Sequence, residues 1–332
     1  MADTIPELSV VVPLYNEEEN IPELYRRLAA ALGKLGVDYQ LVFVNDGSRD
    51  RTPTLLAELH AADRRVAVVH LSRNFGHQAA VSAGLAHAQG QAVVVMDGDL
   101  QDPPEVLGAF LDKWREGFDV VYAVRQNRKE GILKRAGYWL FYRLLRAISD
   151  LDIPLDSGDF CLMDHKVVEV LNHLPERMRF VRGLRTFVGF RQTGLCYDRA
   201  ARNAGRPKYS FRALLQLAAD GLFSFSSYPL RLATYCGCAS IALSIALAIW
   251  ALADALVSHT APRGWASTLI VVLFMGAIQL LSLGVIGEYL RRIFIEAKQR
   301  PPFIVERFQD HPRGEEEPSL LRPATHSRSS MR

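Results

Sequence analysis

Three carboxylates, Asp97, Asp99 and Asp102, lie within six positions of the segment "VVVMDGDLQDPP", directly after an apolar run. Two aspartates two positions apart, where a chain leaves a strand, can turn toward one point, and a hard divalent cation commonly relieves their repulsion. Because Mg²⁺ prefers oxygen ligands and is often shared with substrate phosphates, Asp97 and Asp99 are candidate ligands of Mg²⁺ or Mn²⁺ together with a nucleotide diphosphate. Asp102 precedes Pro103, so we expect it to cap a helix N-terminus.

The elements that must position these carboxylates are strands and helices in alternation, from Leu8 to about Phe160. The apolar runs "LSVVVPLY", "YQLVFVND", "VAVVHLS", "AVVVMD" and "DVVYAVR" predict strands, and the longer amphipathic segments between them predict helices. This order is typical of βαβ units. It predicts an α/β, Rossmann-like domain with a mainly parallel sheet that is covered by helices on both faces.

Polar segments follow four of the predicted strands: "PLYNEEEN", "NDGSRD", "SRNFGHQ" and "DGDLQDPP". Ligands of such sheets bind at the carboxyl ends of the strands. Ordinary turns and helix caps also prefer Asn, Asp, Ser and Gly, so any single segment has a purely structural interpretation. Four such segments on one edge, with clustered carboxylates, favour a ligand site.

Two long apolar runs follow the predicted α/β domain, Leu232 to Leu256 and Trp265 to Tyr289. About 25 helical residues rise about 37 Å, which is enough to cross a bilayer, so we predict a transmembrane hairpin, with buried core helices as the alternative. Basic residues flank the hairpin on the side of both chain ends, which predicts that the α/β domain and both termini are cytoplasmic.

Other features narrow the class of protein. The segment Tyr209 to Phe225 predicts an interfacial amphipathic helix, or alternatively a helix packed on the α/β domain. A net charge of +3 without a basic patch argues against nucleic-acid binding. We expect no signal peptide, and none of the four cysteines shows metal-ligand spacing. The expected regions are an α/β domain over 1–208, interfacial helices over 209–228, two membrane helices within 229–290, and a tail over 291–332 that is disordered after about residue 309.

The segments "VVPLYNEEENI", "VNDGSRD" and "MDGDLQDPP" resemble the family 2 glycosyltransferases of GT-A fold, whose Asp-x-Asp motif holds the metal of a nucleotide sugar. A closer resemblance is to the polyisoprenyl-phosphate glycosyltransferases, the group of bactoprenol glucosyltransferase and dolichyl-phosphate mannose synthase. It includes "PLDSGDFCLMD", "LPERMRFVRGL", "GFRQTG" and "LLSLGVIGEYL" and extends to about Phe308.

This resemblance implies a role for each matching residue of the donor site. Pro13, Tyr15 and Glu17 would line the nucleoside pocket, and Asp46 would read the base or ribose. Asp97 and Asp99 would hold the metal and the pyrophosphate. The remaining matches are Gln101, which would face the sugar or acceptor, and Asp159, which would lie by the reacting sugar and orient the donor or relay a proton. Asp156 is the second acidic candidate, and turn stabilisation is the alternative for both acids.

Basic residues are the candidates for binding phosphates. By resemblance, Arg125 and Arg135 would face phosphates, although a solvated basic face is the alternative. Arg202, Arg206 and Lys208 precede the expected interfacial helix, where they would capture a lipid phosphate or, alternatively, attract anionic lipid without specificity. Pro207 stands where the family pattern has Ser, which removes a possible hydroxyl contact.

The resemblance implies metal-dependent, inverting transfer of glucose from UDP-glucose to undecaprenyl phosphate for modifying cell-surface glycans. We expect a multi-pass protein of the bacterial inner membrane that forms a homo-oligomer such as a tetramer. GDP-mannose and a UDP-aminoarabinose derivative are alternative donors, and a processive polysaccharide synthase is an alternative enzyme, although the Gln-x-x-Arg-Trp signature is absent. Two further alternatives are a phosphoaspartyl hydrolase, in which a Thr usually follows Asp-x-Asp shortly, and a nucleotide sensor that binds without turnover.

Overall fold

The computed structural model describes residues 5–126, 157–198, 228–258 and 264–311. The expected interfacial helix and the last 21 residues, 312–332, lie outside these ranges. In chain order the elements are β1 (Leu8–Leu14), α1 (Ile21–Leu35), β2 (Tyr39–Asn45), α2 (Thr52–Ala62), β3 (Val66–Leu71), α3 (His77–His87), β4 (Ala92–Val95), a 3₁₀ turn (Pro104–Val106), α4 (Leu107–Arg115), β5 (Val120–Gln126), β6 (Ser157–Asp164), α5 (His165–His173), α6 (Val181–Phe187), β7 (Gln192–Asp198), α7 (Tyr228–Ser258), α8 (Trp265–Ala297) and β8 (Val305–Gln309).

In the described part of the chain, eight strands form one sheet in the order β7-β5-β6-β4-β1-β2-β3-β8. Strand β1 pairs in parallel with β2 and β4, and β2 pairs in parallel with β3, as expected for βαβ units. Strands β5 and β7 also pair in parallel, whereas the three remaining pairings are antiparallel and depart from the prediction. Strand β6 lies antiparallel between β4 and β5, and β8 lies antiparallel on β3. The sheet is therefore mixed, because a strand from "SGDFCLMD" takes the place beside β4.

Helices cover both faces of the sheet, as predicted. Alternate side chains of β1 show the two faces: Val10 and Val12 pack in one apolar cluster, and Val11 packs in the other. The first cluster contains buried residues of α1 and α4, and the second contains buried residues of α3, α5 and α6. The central strands are fully buried, which explains why their sequences are nearly continuous apolar runs.

Helices α7 and α8 occupy the two long apolar runs. They contain 31 and 33 residues, pack on each other, and are joined by the short segment 259–264, so they run antiparallel. Many of their apolar side chains are exposed, for example Ile249, Trp250 and Leu280. This exposure argues against a pair of buried core helices. Among the described residues, Tyr228–Leu247 is long and apolar enough to cross a bilayer, whereas the second span stays a prediction.

The chain returns to the sheet after α8. Strand β8, which the sequence patterns did not predict, pairs with β3 from Val68 to Leu71, and Ser72 N–H donates to the carbonyl of Ile304. Phe303 and Val305 pack against the second apolar cluster. The end of α8 is therefore tied to the α/β domain by backbone pairing and by apolar contacts.

Close packing of α3 on β1 requires a glycine at position 84. A Cβ at Gly84 would lie 2.2 Å from Val11 Cγ1, so we expect Gly84→Ala to lower the free energy of unfolding by about 1–3 kcal/mol. Gly33→Ala in α1 is the matched control, since nothing lies within 4 Å of its added Cβ, and we expect it to be neutral or to stabilise by about 0.5–1 kcal/mol. Thermal denaturation in detergent measures both variants, and equal melting temperatures would contradict this packing.

Candidate active site

The carboxyl ends of β1, β2 and β4 lie side by side because β1 pairs with both of the other strands. Asp46 follows β2, and its backbone N–H donates to the carbonyl of Leu14, the last residue of β1, at 2.9 Å. Asp97 follows β4 closely, since Met96 N–H donates to the carbonyl of Val11 at 3.1 Å. The parallel part of the sheet thus brings three of the predicted polar segments to one edge.

His77 joins two acidic residues that the sequence patterns had only placed on separate elements. Its Nε2 lies 3.3 Å from Asp159 Oδ2 and 3.7 Å from Asp97 Oδ1. His77 is the first residue of α3, whereas Asp159 belongs to β6 and Asp97 follows β4. The site is therefore built at the point where β6 inserts beside β4.

Three side chains hold the carboxylate of Asp159. Besides His77, Gln78 Nε2 donates to Oδ2 at 3.2 Å, and Arg182 Nη2 lies 3.4 Å from Oδ1. Gln78 also accepts the backbone N–H of Val181 at 2.8 Å, so the start of α3 and the start of α6 are linked through one amide. Asp159 is about 15% exposed in its side chain and is therefore nearly enclosed by these partners.

The surroundings push the pKa values of Asp159 and Asp97 in opposite directions. Burial would raise the pKa of Asp159, but the cations Arg182 and His77 outweigh it and hold this pKa well below its usual range. Burial, with the nearby carboxylates Asp102, Asp159 and Asp99, raises the pKa of Asp97 to about 6, although His77 opposes the shift. Asp159 is therefore firmly ionised, whereas burial, together with the neighbouring carboxylates, makes the ionised form of Asp97 less favourable.

Asp97 and Asp99 offer the oxygen donors that a hard cation prefers. Among the described residues, no three or more His, Cys, Asp or Glu side chains are grouped so that together they could hold a metal ion. The donor set nevertheless fits Mg²⁺ or Mn²⁺, since such ions take one or two protein carboxylates and complete their shell with water and phosphate oxygens. A bound divalent cation would favour the ionised form of Asp97, whose pKa is raised chiefly by burial.

The backbone between the two aspartates is tightly constrained. A Cβ at Gly98 would lie 2.4 Å from Leu14 Cδ2, so the turn passes directly against the end of β1. Leu100 has φ 60°, a left-handed conformation that a leucine rarely adopts, and its side chain is buried. Asp99 Oδ1 accepts the backbone N–H of Gln101 at 3.2 Å. This local strain is held in place by the packed core, as is common at functional sites.

The prediction that Asp102 caps a helix is wrong. The residue at the N-cap position of the 3₁₀ turn is Pro103, and no side chain caps that turn. Asp102 is instead fully buried, and its Oδ1 accepts a hydrogen bond from the hydroxyl of Tyr197 in β7. The partner lies 95 positions away in the sequence, which is why local turn chemistry led to the wrong role.

Two residues expected in the nucleoside pocket have structural contacts of their own. Both oxygens of Asp46 accept backbone N–H groups, from Phe75 at 2.7 Å and from Gly76 at 3.0 Å, and burial still raises the Asp46 pKa above its usual value. Glu17 Oε2 accepts from Asn20 Nδ2 at 2.7 Å. These contacts fix the loops that follow β1 and β3, and the nucleotide contacts of both residues stay predictions.

An open cavity of about 700 Å³ lies beside this site, at the ends of β2 and β3. A pocket of this size is typical for a small-molecule ligand. Its lining includes Tyr15, Ser48, Arg73, Glu306 and Arg307, so the chain beyond α8 forms part of the wall. Nothing in the local sequence around Glu306 and Arg307 indicated this position, because it follows from the pairing of β8 with β3.

The structure describes only some of the other predicted site residues. Pro13 is buried in β1, and Gln101 is half-buried after the Asp97 turn. Arg125 lies in β5, but its side chain is outside the described part. Five predicted residues are also outside it: Asp156, Arg135, Arg202, Arg206 and Lys208. Conversely, the sequence patterns missed His77, Gln78 and Arg182, although "SRNFGHQ" and "LPERMRFVRGL" had marked their segments.

Comparison with known proteins gives a consistent result. Residues 9–171 match the family model "Glycosyl transferase family 2". The chain is 45% identical over 300 residues to the uncharacterized glycosyltransferase sll0501 of Synechocystis sp., covering 90% of this chain and 94% of that protein. It is 46% identical over 302 residues to the uncharacterized glycosyltransferase YkcC of Bacillus subtilis, covering 91% and 94%. It is 41% identical over 301 residues to the bactoprenol glucosyl transferase of Shigella phage SfV, covering 90% and 98%.

We expect His77 to titrate with a pKa of about 9 in the metal-free protein, because Asp159 and Asp97 stabilise its protonated ring and outweigh the opposing effect of burial. The folded pKa lies above the unfolded one, so the stabilisation is fully present below about pH 6.5 and is lost as the pH rises through about 9. NMR titration of the His77 ring measures this pKa. The signal is assigned by its loss in His77→Gln. Asp159→Asn is the control that should lower the pKa, and a wild-type value near 6.5 would contradict the arrangement.

Proposed function

The chain belongs to the family 2 glycosyltransferases, and from that premise we propose that it transfers glucose from UDP-glucose to undecaprenyl phosphate at the cytoplasmic face of a bacterial inner membrane. The main support is its similarity to the bactoprenol glucosyl transferase of Shigella phage SfV over nearly the whole length of both chains. Glycosyl transfer to a polyprenyl phosphate is the general reaction, and glucose is the specific donor sugar that we propose.

The donor nucleotide fits the edge formed by the ends of β1, β2 and β4. We propose that the nucleoside enters the cavity lined by Tyr15, near Pro13, Glu17 and Asp46, and that the diphosphate lies toward Asp97 and Asp99. When bound there, Mg²⁺ or Mn²⁺ would neutralise the developing charge of the leaving diphosphate. Gln101 lies directly after this turn, where the sugar or the acceptor would follow the diphosphate.

The acceptor brings its own nucleophile. A phosphate monoester with a second pKa of about 6 is largely dianionic at neutral pH, so no general base is required. One phosphate oxygen forms a bond to the anomeric carbon, while the bond from that carbon to the diphosphate breaks and its electron pair leaves with the nucleotide. A single displacement of this kind inverts the anomeric configuration. The protein must mainly position two anions and screen their repulsion.

Asp159 and its partners are suited to positioning the two anions and screening their repulsion. A carboxylate that stays ionised accepts hydrogen bonds, so we propose that Asp159 orients the sugar hydroxyls rather than relays a proton. Arg182 and His77 place positive charge beside it, where the diphosphate and the acceptor phosphate would meet. We further propose that the acceptor phosphate is bound by Arg125, Arg135, Arg202, Arg206 and Lys208, and Asp156 remains the second acidic candidate.

The long helices support a membrane location for the acceptor. Helix α7 rises about 46 Å and α8 about 50 Å, more than the roughly 30 Å of a bilayer core. Because they run antiparallel and the end of α8 is tied to the sheet through β8, both outer ends of the pair lie on the side of the α/β domain. We propose a multi-pass anchor with the catalytic domain in the cytoplasm, and self-association through the exposed apolar faces of the helices.

Purified protein in detergent should convert labelled UDP-glucose and undecaprenyl phosphate into a chloroform-soluble glycolipid, because the acceptor phosphate becomes a phosphodiester that carries the sugar. Addition of EDTA should abolish the product, and Mg²⁺ or Mn²⁺ should restore it. Parallel reactions with GDP-mannose and a UDP-aminoarabinose derivative identify the donor. Failure to form glycolipid from any common nucleotide sugar would overturn the proposed reaction.

Asp99→Ala should lower kcat by about 100-fold, because the variant loses a ligand for the cation that stabilises the leaving group. Asp112→Ala is a matched control, since Asp112 is an exposed aspartate on α4, away from the strand ends. We expect wild-type kcat for this control. Initial rates at saturating donor and acceptor give both values, and full activity of Asp99→Ala would contradict the assigned role.

A further inference from the structure

Glu296, on the last turn of α8, binds the α/β domain through two consecutive backbone groups. Its Oε1 and Oε2 accept the N–H of Arg177 at 2.9 and 3.0 Å, and its Oε1 accepts the N–H of Met178 at 3.2 Å. Hydrogen bonds to an ionised acceptor are stronger than neutral ones, and these join segments 118 and 119 positions apart. The carboxylate therefore fixes the segment between α5 and α6 onto the end of α8.

The segment that Glu296 binds leads directly into the candidate active site. Helix α6 begins at Val181, three positions after Met178, and carries Arg182, whose guanidinium lies 3.4 Å from Asp159. This helix has seven residues and no side-chain cap at Phe180. A helix of that length is not stable alone, so its neighbours determine its position. Those neighbours include Gln78, which accepts the N–H of Val181.

The chain that follows Glu296 is also bound to the α/β domain. Beyond Glu296 the chain runs through Phe303, which packs on the second apolar cluster, into β8 on the edge of the sheet. The end of α8 is therefore held against the domain by Glu296 and by the chain that follows it. Glu296 thus binds Met178, the chain leads from Met178 to Arg182 four positions later, and Arg182 contacts Asp159.

We propose, on the basis of the glycosyl transfer proposed above, that Glu296 is a positioning residue that holds α6 and Arg182 in the catalytic geometry at Asp159. The anchor helix that brings the enzyme to its lipid acceptor thereby also sets the cation beside the reacting sugar. Glu296 itself touches neither substrate. Its removal should impair the chemical step while leaving the donor pocket at the ends of β2 and β3 intact.

Glu296→Ala in the full chain, reconstituted in nanodiscs, should lower kcat for glycolipid formation by about 10- to 100-fold, because small displacements of positioning groups cost that much. The KM for the nucleotide sugar should stay within about twofold, since Glu296 does not line the proposed donor cavity. Glu296→Gln keeps one acceptor oxygen and should fall between wild type and Glu296→Ala. Glu288→Gln is the matched control on the same helix, because the Glu288 carboxylate pairs with Arg291 and Arg292 of α8, and it should retain wild-type kcat.

Hydrogen exchange measures the contact without turnover. In Glu296→Ala, the amides of residues 177–182 should exchange at least about tenfold faster, while β3 keeps its wild-type protection. Unchanged exchange at 177–182, wild-type kcat in Glu296→Ala, or loss of protection throughout the sheet would each overturn the inference. Wild-type protein that forms no glycolipid would overturn the proposed function instead, whereas the exchange rates at 177–182 would still support or overturn the contact itself.

Discussion

Mutual repulsion among four carboxylates at one end of the sheet is the constraint on which the rest of the site depends. Asp97, Asp99, Asp102 and Asp159 all lower the local potential, and burial makes their charges more costly. Asp102 accepts a hydrogen bond from the hydroxyl of Tyr197, and Arg182 and His77 lie beside Asp159. Asp97 and Asp99 follow β4 on a strained turn, where His77 lies 3.7 Å from Asp97. The proposed cation and diphosphate would bind at this turn.

The sequence predicted well those features that depend on local patterns. Continuous valine-rich runs identified β1 to β4, and the strand-end rule placed Asp46 and Asp97 on one edge. Prediction from the sequence failed where a contact joins segments that are far apart in the chain. Neither the insertion of β6 beside β4 nor the pairing of β8 with β3 leaves a periodic signal, and both change which side chains reach the site.

Individual residues illustrate the same limit. Asp102 was assigned to a helix cap because a proline follows it, whereas its partner Tyr197 stands on β7. His77 and Arg182 lie in segments that were recognised as unusual, but only the meeting of α3, α6 and β6 shows that both cations face Asp159. Residue type and spacing therefore identified the acidic half of the site. The basic residues of the site could be identified only from the tertiary arrangement.

The pairing of β8 with β3 has a consequence for biosynthesis. Ribosomes release the amino-terminal strands first, and domains generally begin to fold as they emerge. Here β8, one of the two edge strands of the described sheet, is encoded after both long helices, so β3 presents unpaired backbone groups on this side until the helices and β8 have been synthesised. Insertion of the proposed hairpin into the bilayer would therefore precede completion of the sheet. The nascent enzyme would reach its lipid before its cavity wall, with Glu306 and Arg307, is in place.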